Sequence, residues 1–169
     1  MPNTYTLISS VTVGSGGAAT INFSSIPSTY TDLVLKTSFR GLNAATYIDV
    51  DFAFNGSTSS MSRRFLYAAG GAAASGADSL SRFAYTDGAN ATASAFSNSE
   101  IYIPNYAGSA YKSVSSDVAT ESNGATDALL LFCAGLWSNT AAINQITMNP
   151  NVNNFAQYST AYLYGIKNS

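Results

Sequence analysis

Apolar residues in this chain recur with a period of two rather than three and a half, in short runs broken by Gly, Ser, Asn and Pro, which is the signature of β-strands. The clearest run is Tyr47 to Phe54, where Ile48, Val50, Phe52 and Phe54 share one face and Tyr47, Asp49, Asp51 and Ala53 share the other. One face is core and one is wet, and Asn55-Gly56 then ends the strand in a turn that accepts positive φ. The same pattern predicts strands over Thr4–Val13, Ala19–Ser24, Asp32–Arg40, Arg63–Tyr67, Glu100–Ile103, Tyr111–Glu121, Asp127–Trp137, Ile143–Met148 and Tyr158–Lys167. Such a set suits two packed sheets, so the expected fold is all-β, a jelly-roll-like antiparallel β-sandwich. Phe23, Leu33, Leu35, Ile48, Val50, Phe52, Ile101, Ile103, Val114, Val118 and Ile146 are its expected inward positions. An immunoglobulin-like sandwich is the alternative, and the absent cysteine pair counts against it.

Gly14-Ser15-Gly16-Gly17 separates the first two predicted strands and predicts a hairpin between them. A phosphate-cradling loop is the competing reading, but such a loop carries a Lys and opens a helix, whereas a strand pattern follows here. Pro27, Pro104 and Pro150 each fall just beyond a predicted strand, where a missing N–H costs no ladder bond. Leu129-Leu130-Leu131-Phe132 is apolar on both faces, which places its strand centrally, one side against the core and the other available to a partner subunit, with a short buried helix as the alternative. Between Ala68 and Ala95 the chain turns to Ala, Gly, Ser and Asn, with Leu80, Phe83 and Tyr85 as its few large apolar residues. This predicts a long surface excursion or arm on a single domain spanning residues 1–169.

Composition then narrows the chemistry. Histidine is absent, so Ser-His-Asp and Cys-His nucleophilic sites and histidine metal sites cannot be built from this chain alone. The single cysteine, Cys133, sits in the most apolar run without a basic neighbour, which predicts a small buried hydrophobe rather than a nucleophile. A net charge of −2 gives no basic footprint for nucleic acid. No apolar run approaches the ~20 residues that cross a bilayer, and the opening MPNTYTLISS lacks a basic region followed by an apolar core, so neither a membrane span nor a signal peptide is expected.

Asp49 and Asp51, two apart on a strand, are the best carboxylate pair, at a spacing a glycosidase could use. Both stand on one wet face and share one environment, so the preferred reading is a solvated face with Arg63 or Arg64 nearby, and no catalytic residue is expected. Calcium would need Asp78, Asp87, Asp117, Glu121 and Asp127 to converge in space, so no metal or cofactor is expected. Tyr102, Tyr106 and Tyr111 flank Pro104-Asn105 and could stack on sugar rings, although tyrosine serves equally in protein interfaces. Tyr158, Tyr162 and Tyr164 line one face of the closing strand, and the six tyrosines together are the candidate interaction surface.

Four pieces of the chain carry a family resemblance: TLISSVTVGSGGAATINFSSIPSTYTDLVLKTSFRG, SEIYIPNYAGSAYKSVSSD, AGLWSNTAAINQITM and YSTAYLYGIKNS. They resemble small virion structural proteins of tailed bacteriophages, particularly phages of aquatic bacteria, described variously as capsid decoration (cement), head-fibre or tail-associated proteins. The resemblance implies a non-enzymatic virion component assembled in the host cytoplasm; a capsid decoration protein on the exterior is the favoured reading, and a tail or head-fibre module binding host-surface glycans is the alternative. Its implied partners are the major capsid protein and further copies of itself, with glycan binding as the route for a fibre module. The resemblance favours a homotrimer at local three-fold positions. A homo-oligomer also follows from the residues, because open sandwiches leave edge strands that monomers guard with Lys or Pro, and this chain has few such guards. Contacts made through uncharged Ser, Thr and Asn would depend only weakly on salt.

Overall fold

The computed structural model describes residues 4–123 and 128–167, and among these it holds twelve strands and no helix. They are β1 (Tyr5–Thr12), β2 (Ile21–Phe23), β3 (Asp32–Phe39), β4 (Tyr47–Phe54), β5 (Met61–Ala69) and β6 (Ala72–Asp78), followed by β7 (Arg82–Asp87), β8 (Ser97–Ile103), β9 (Lys112–Thr120), β10 (Leu129–Trp137), β11 (Ile146–Pro150) and β12 (Thr160–Ile166). Eight strands form one sheet in the order β1-β12-β3-β8-β9-β10-β5-β6, and four form the other in the order β2-β11-β4-β7. Every pairing is antiparallel.

The topology resolves into a jelly roll with an extension. Setting aside β5, β6, β9 and β10, the remaining strands pair as nested couples, β1 with β12, β2 with β11, β3 with β8 and β4 with β7. That is a long antiparallel ribbon folded over itself and closed into two sheets by the β12–β3 and β11–β4 ladders. The hairpins β5–β6 and β9–β10 fall between ribbon strands in the chain, and both attach beyond β8, widening one sheet by four strands.

Alternation governs the core. In β9 and β10, buried and exposed residues alternate without a break over nine positions each. All of the expected inward positions, Phe23, Leu33, Leu35, Ile48, Val50, Phe52, Ile101, Ile103, Val114, Val118 and Ile146, are buried. At the centre, Phe83 packs beside Phe52 and Phe54 of its own small sheet, with ring centroids 5.6 and 6.2 Å away, and Trp137 of the large sheet stands edge-on to Phe54 at 5.5 Å.

Several expectations are corrected. Gly14 to Gly17 does not close a hairpin, because β1 pairs with β12 in one sheet and β2 with β11 in the other, so the loop is a crossover between sheets. Gly17 has φ +70°, and a Cβ there would lie 2.7 Å from the Phe155 carbonyl oxygen, so the crossover needs a glycine for space as well as conformation. The stretch from 68 to 95 is not an arm. It contains β6, which edges the large sheet, and β7, which brings Phe83 into the core, and Gly70 and Gly71, at φ 57° and 84°, turn the hairpin into β6. Pro150 closes β11 opposite Val50 rather than lying beyond it. The closing strand is interior, between β1 and β3, so the edges of the large sheet are β1 and β6. Asp127, expected to open a strand, lies outside the described residues.

The loop after β7 is tied to residues 43–46 by backbone bonds from Gly88, Ala89 and Asn90, and the Arg40 side chain gathers its carbonyls. Arg40 Nη1 donates to the carbonyls of Thr92 and Ala95 at 2.9 and 2.8 Å, and Nη2 donates to those of Ala91 and Ala89 at 3.1 and 3.4 Å. A guanidinium offers five donors in a fixed fork, which suits gathering carbonyls from a loop with no ladder of its own. Arg40→Met should therefore cost about 2 kcal/mol, since it removes charge-assisted bonds and strands partly buried acceptors. Faster amide exchange confined to residues 88–96, with the sheets unchanged, is the expected readout.

Candidate functional site

The tyrosines divide. The turn after Pro104 swings Tyr106 inward, where it is fully buried and its hydroxyl donates to the Pro27 carbonyl, so it belongs to no exposed surface. This corrects its place in the candidate interaction surface, and Tyr102, Tyr106 and Tyr111 form no shared platform. Tyr102 is half-buried on the outer face of β8, its hydroxyl donating to Asp32 Oδ2 at 2.9 Å. Through Val34, which pairs with both, Tyr102 and Tyr164 stand in one outward row, and Val34 beneath them is buried. Tyr162, 38% exposed, lies on the same face, while Tyr111 and Tyr158, 59% and 67% exposed, occupy loops before β9 and β12.

The acidic pair is neutralised. Arg82, not Arg63 or Arg64, lies across it, with Nη1 3.3 Å from Asp49 Oδ2 and Nε 3.1 Å from Asp51 Oδ1. Asn151 Nδ2 donates to Asp49 Oδ2 at 3.2 Å, and Tyr85, directly opposite Asp49, has its phenol pushed up to about 12 by burial and by the Asp49 charge. Arg63 is buried, forks onto Asp78 at 2.8 and 3.0 Å, and lies 4.6 Å over the Phe65 ring. That bond holds the Asp78 carboxyl below its usual range. Both members of the Asp49–Asp51 pair face one guanidinium, so the geometry gives them a common environment instead of the divergent acid and base that hydrolysis needs.

Two further polar groups are buried. Cys133 points into the core, where burial pushes its thiol up. Lys112 is buried, its Nζ donating to the carbonyls of Gly108, Ala110 and Thr140, and burial draws its pKa down. Among the described residues no three His, Cys, Asp or Glu gather to hold a metal ion, and no helix is long and apolar enough to cross a membrane.

What remains is a surface. On the outer face of β10, Leu130 and Phe132 are 53% and 65% exposed, and Leu66, directly opposite Phe132 on β5, is 62% exposed. Small side chains flank them, with Ala68 beside Leu130 and, in the row beyond Phe132, Ala134 between Arg64 and Ser115. A shallow groove of about 860 Å³ follows this face from Asp117 to Ser75. Large contiguous apolar patches are uncommon on monomers and mark binding surfaces. The two-faced run at Leu129 to Phe132 announced β10, but Leu66 and Arg64 join it only through strand register, which a single sequence does not display.

No protein-family model matches the chain, and no curated protein matches it. Among solved structures, a variant fructofuranosidase from Schwanniomyces occidentalis, complexed with fructosylnystose, aligns with 99% of this chain and 35% of its own, at 8% identity and a TM-score of 0.26. A likeness of that size carries no argument about fold or chemistry.

Proposed function

We propose that this chain is a non-enzymatic structural protein of a tailed-phage virion, a decoration protein seated on the capsid exterior. The observation that carries the reading is the exposed apolar face of β10 and β5, on strands added to the jelly roll, while the chain's acidic pair is spent on an arginine. The sequence resemblance supplies the virion context. The implied partners are the major capsid protein and further copies of this chain, and the three-fold arrangement is supported by the resemblance alone.

The test is a cryo-electron microscopy map of the particle with mass spectrometry of its proteins. Density of this shape on the outer capsid lattice, retained after washing in about 1 M salt where the Debye length is ~3 Å, is the expected result. Density confined to the tail or fibres would overturn the capsid placement. It would favour the second reading, a fibre module binding host glycans, for which the exposed rings of Tyr111 and Tyr158 speak. Glycan-array binding lost in Tyr111→Ala or Tyr158→Ala variants is the matching signature.

A further inference from the structure

We infer that the outer face of the added strands is where two copies of this chain meet, about a two-fold axis that sets Arg64 of each copy over Asp117 of the other. The inference rests on reading this face as a binding surface and does not depend on the virion assignment.

Reading across the strands, Asp117 on β9, Phe132 on β10 and Leu66 on β5 form one outward row, and Ser115, Ala134 and Arg64 form the next. Strands lie about 4.8 Å apart, and same-face residues along a strand about 6.8 Å apart. Arg64 and Asp117, two strands and one row apart, are therefore separated by roughly 12 Å between Cα positions. Both are exposed, and among the described residues neither makes an ion pair. Asp117 also has a like-charged neighbour, Glu100, which is already paired to Lys36 at 2.6 Å.

The midpoint between Arg64 and Asp117 falls on β10, between Ala134 and Phe132. A two-fold axis lying in the face and passing through that point, perpendicular to the line joining the two charges, exchanges their positions between copies. On the same grid the axis passes within about 2 Å of both Phe132 and Leu66. One operation thus brings opposite charges together twice and lays the apolar pair on its own image, the self-complementarity that an isologous contact requires. A second copy is favoured over an unrelated partner because the charges complement this chain itself.

Size and shape agree. The five strands from β8 to β6 offer a flat footprint of roughly 20 by 25 Å, which side-chain relief raises toward the ~800 Å² per partner of a standard interface. The small side chains of Ser75, Ser115 and Ala134 around the pair leave Phe132 and Leu66 standing above their neighbours, where they meet their own images. Packed sheets approach to about 10 Å, a spacing this relief permits.

Sedimentation velocity on the purified full chain at about 50 μM tests the proposal, with Phe132→Asp, Arg64→Asp, Asp117→Arg and the Arg64→Asp/Asp117→Arg double variant. The expected mass is twice the 17.6 kDa of the chain. Each single charge reversal should raise the dimer Kd by roughly 100-fold or more, since it sets like charges against each other at both symmetry-related points. The double variant should restore the dimer to within about tenfold of the parent, because it rebuilds both pairs with opposite sense. All three positions are exposed in the single chain, so thermal melts report whether each variant keeps its fold. A monomer at this concentration, a trimer, a dimer that survives Phe132→Asp, or charge reversals that the double variant does not rescue would each overturn the two-fold contact. A chain that is monomeric alone but binds capsid protein through Phe132 would overturn it too, while leaving the binding-surface reading intact.

Discussion

Asp87→Asn should raise the melting temperature at pH 7 by about 5 to 10 °C and remove most of the stability that the parent protein gains on acidification from pH 7 to pH 5. Asp87 is 1% exposed, and neither carboxylate oxygen has a hydrogen-bond partner among the described residues. Burial raises its carboxyl from the ordinary 3.8 to about 6, with the positive charge of Arg40 pulling it down and Glu121 pushing it up. Between about pH 4 and 6 the folded chain therefore holds a proton that the unfolded chain has released, and stability falls as pH climbs through that window. A rise of about two units corresponds to roughly 3 kcal/mol, in full force above the folded value. Asparagine keeps the shape of the neutral acid without the charge, so about 2 to 3 kcal/mol should be recovered at pH 7. Asp117, also raised by burial and by Glu100, pulls the parent in the same direction, so the comparison of variant with parent isolates Asp87. Urea melts of both proteins at pH 5 and pH 7 make the measurement, and an Asp87→Asn midpoint below the parent at pH 7 would sink the argument.

The second large effect lies at the contact between Phe83 and Gly135. A Cβ at Gly135 would come within 2.3 Å of the Phe83 ring, so β10 gives up a side chain to let the ring cross from the small sheet. Phe83→Ala should cost about 3 to 5 kcal/mol, as expected for emptying a fully buried aromatic position. Gly135→Ala should cost about 1 to 3 kcal/mol, because the ring is held by Phe52 and Phe54 and has little room to shift. The two losses should not add. With the ring gone, the new methyl occupies part of the vacated space, and the double variant should be more stable than the sum by about 1 kcal/mol or more. Strict additivity in chemical denaturation would show that the ring does not rest on Gly135.

The strands that alternate large apolar and polar side chains were legible from the chain alone. β4 and β9 carry the period-two signal in full, and Ile48, Val50, Phe52, Val114 and Val118 lie inside where alternation puts them. β6 was not legible, because Ala72 to Asp78 is made of Ala, Ser and Gly ahead of its Asp, whose small side chains have little β-propensity and whose place is set by pairing with β5. β7 was obscured by a register shift opposite Val50 and Asp51, which sets two consecutive residues, Phe83 and Ala84, inward and breaks the alternation. Tyr106 misled for a different reason. Its neighbours Pro104 and Asn105 describe an exposed turn, and only the turn's direction, with Asn105 at φ 48°, decides that the ring points inward. The outward surface depends on cross-strand neighbours, so the Leu66 half of the patch was invisible until β5 was laid against β10.

The nesting of the ribbon also sets a timetable for synthesis. Tyr5 pairs with Ile166, so β1 waits for β12 to be synthesised before its ladder can form. At about 5 to 20 residues per second, that wait is on the order of ten to thirty seconds. Over the same interval β3 lacks one of its two neighbours, because β12 lies between it and β1. The hairpins β5–β6 and β9–β10 close locally and can form while the ribbon is still open, which makes them candidates for the earliest structure on the nascent chain. Crowded polysomes translating this message would hold many half-made chains with bare strand edges. Its yield of folded protein should therefore respond to translation speed and to chaperone supply more steeply than that of a helical domain of equal length.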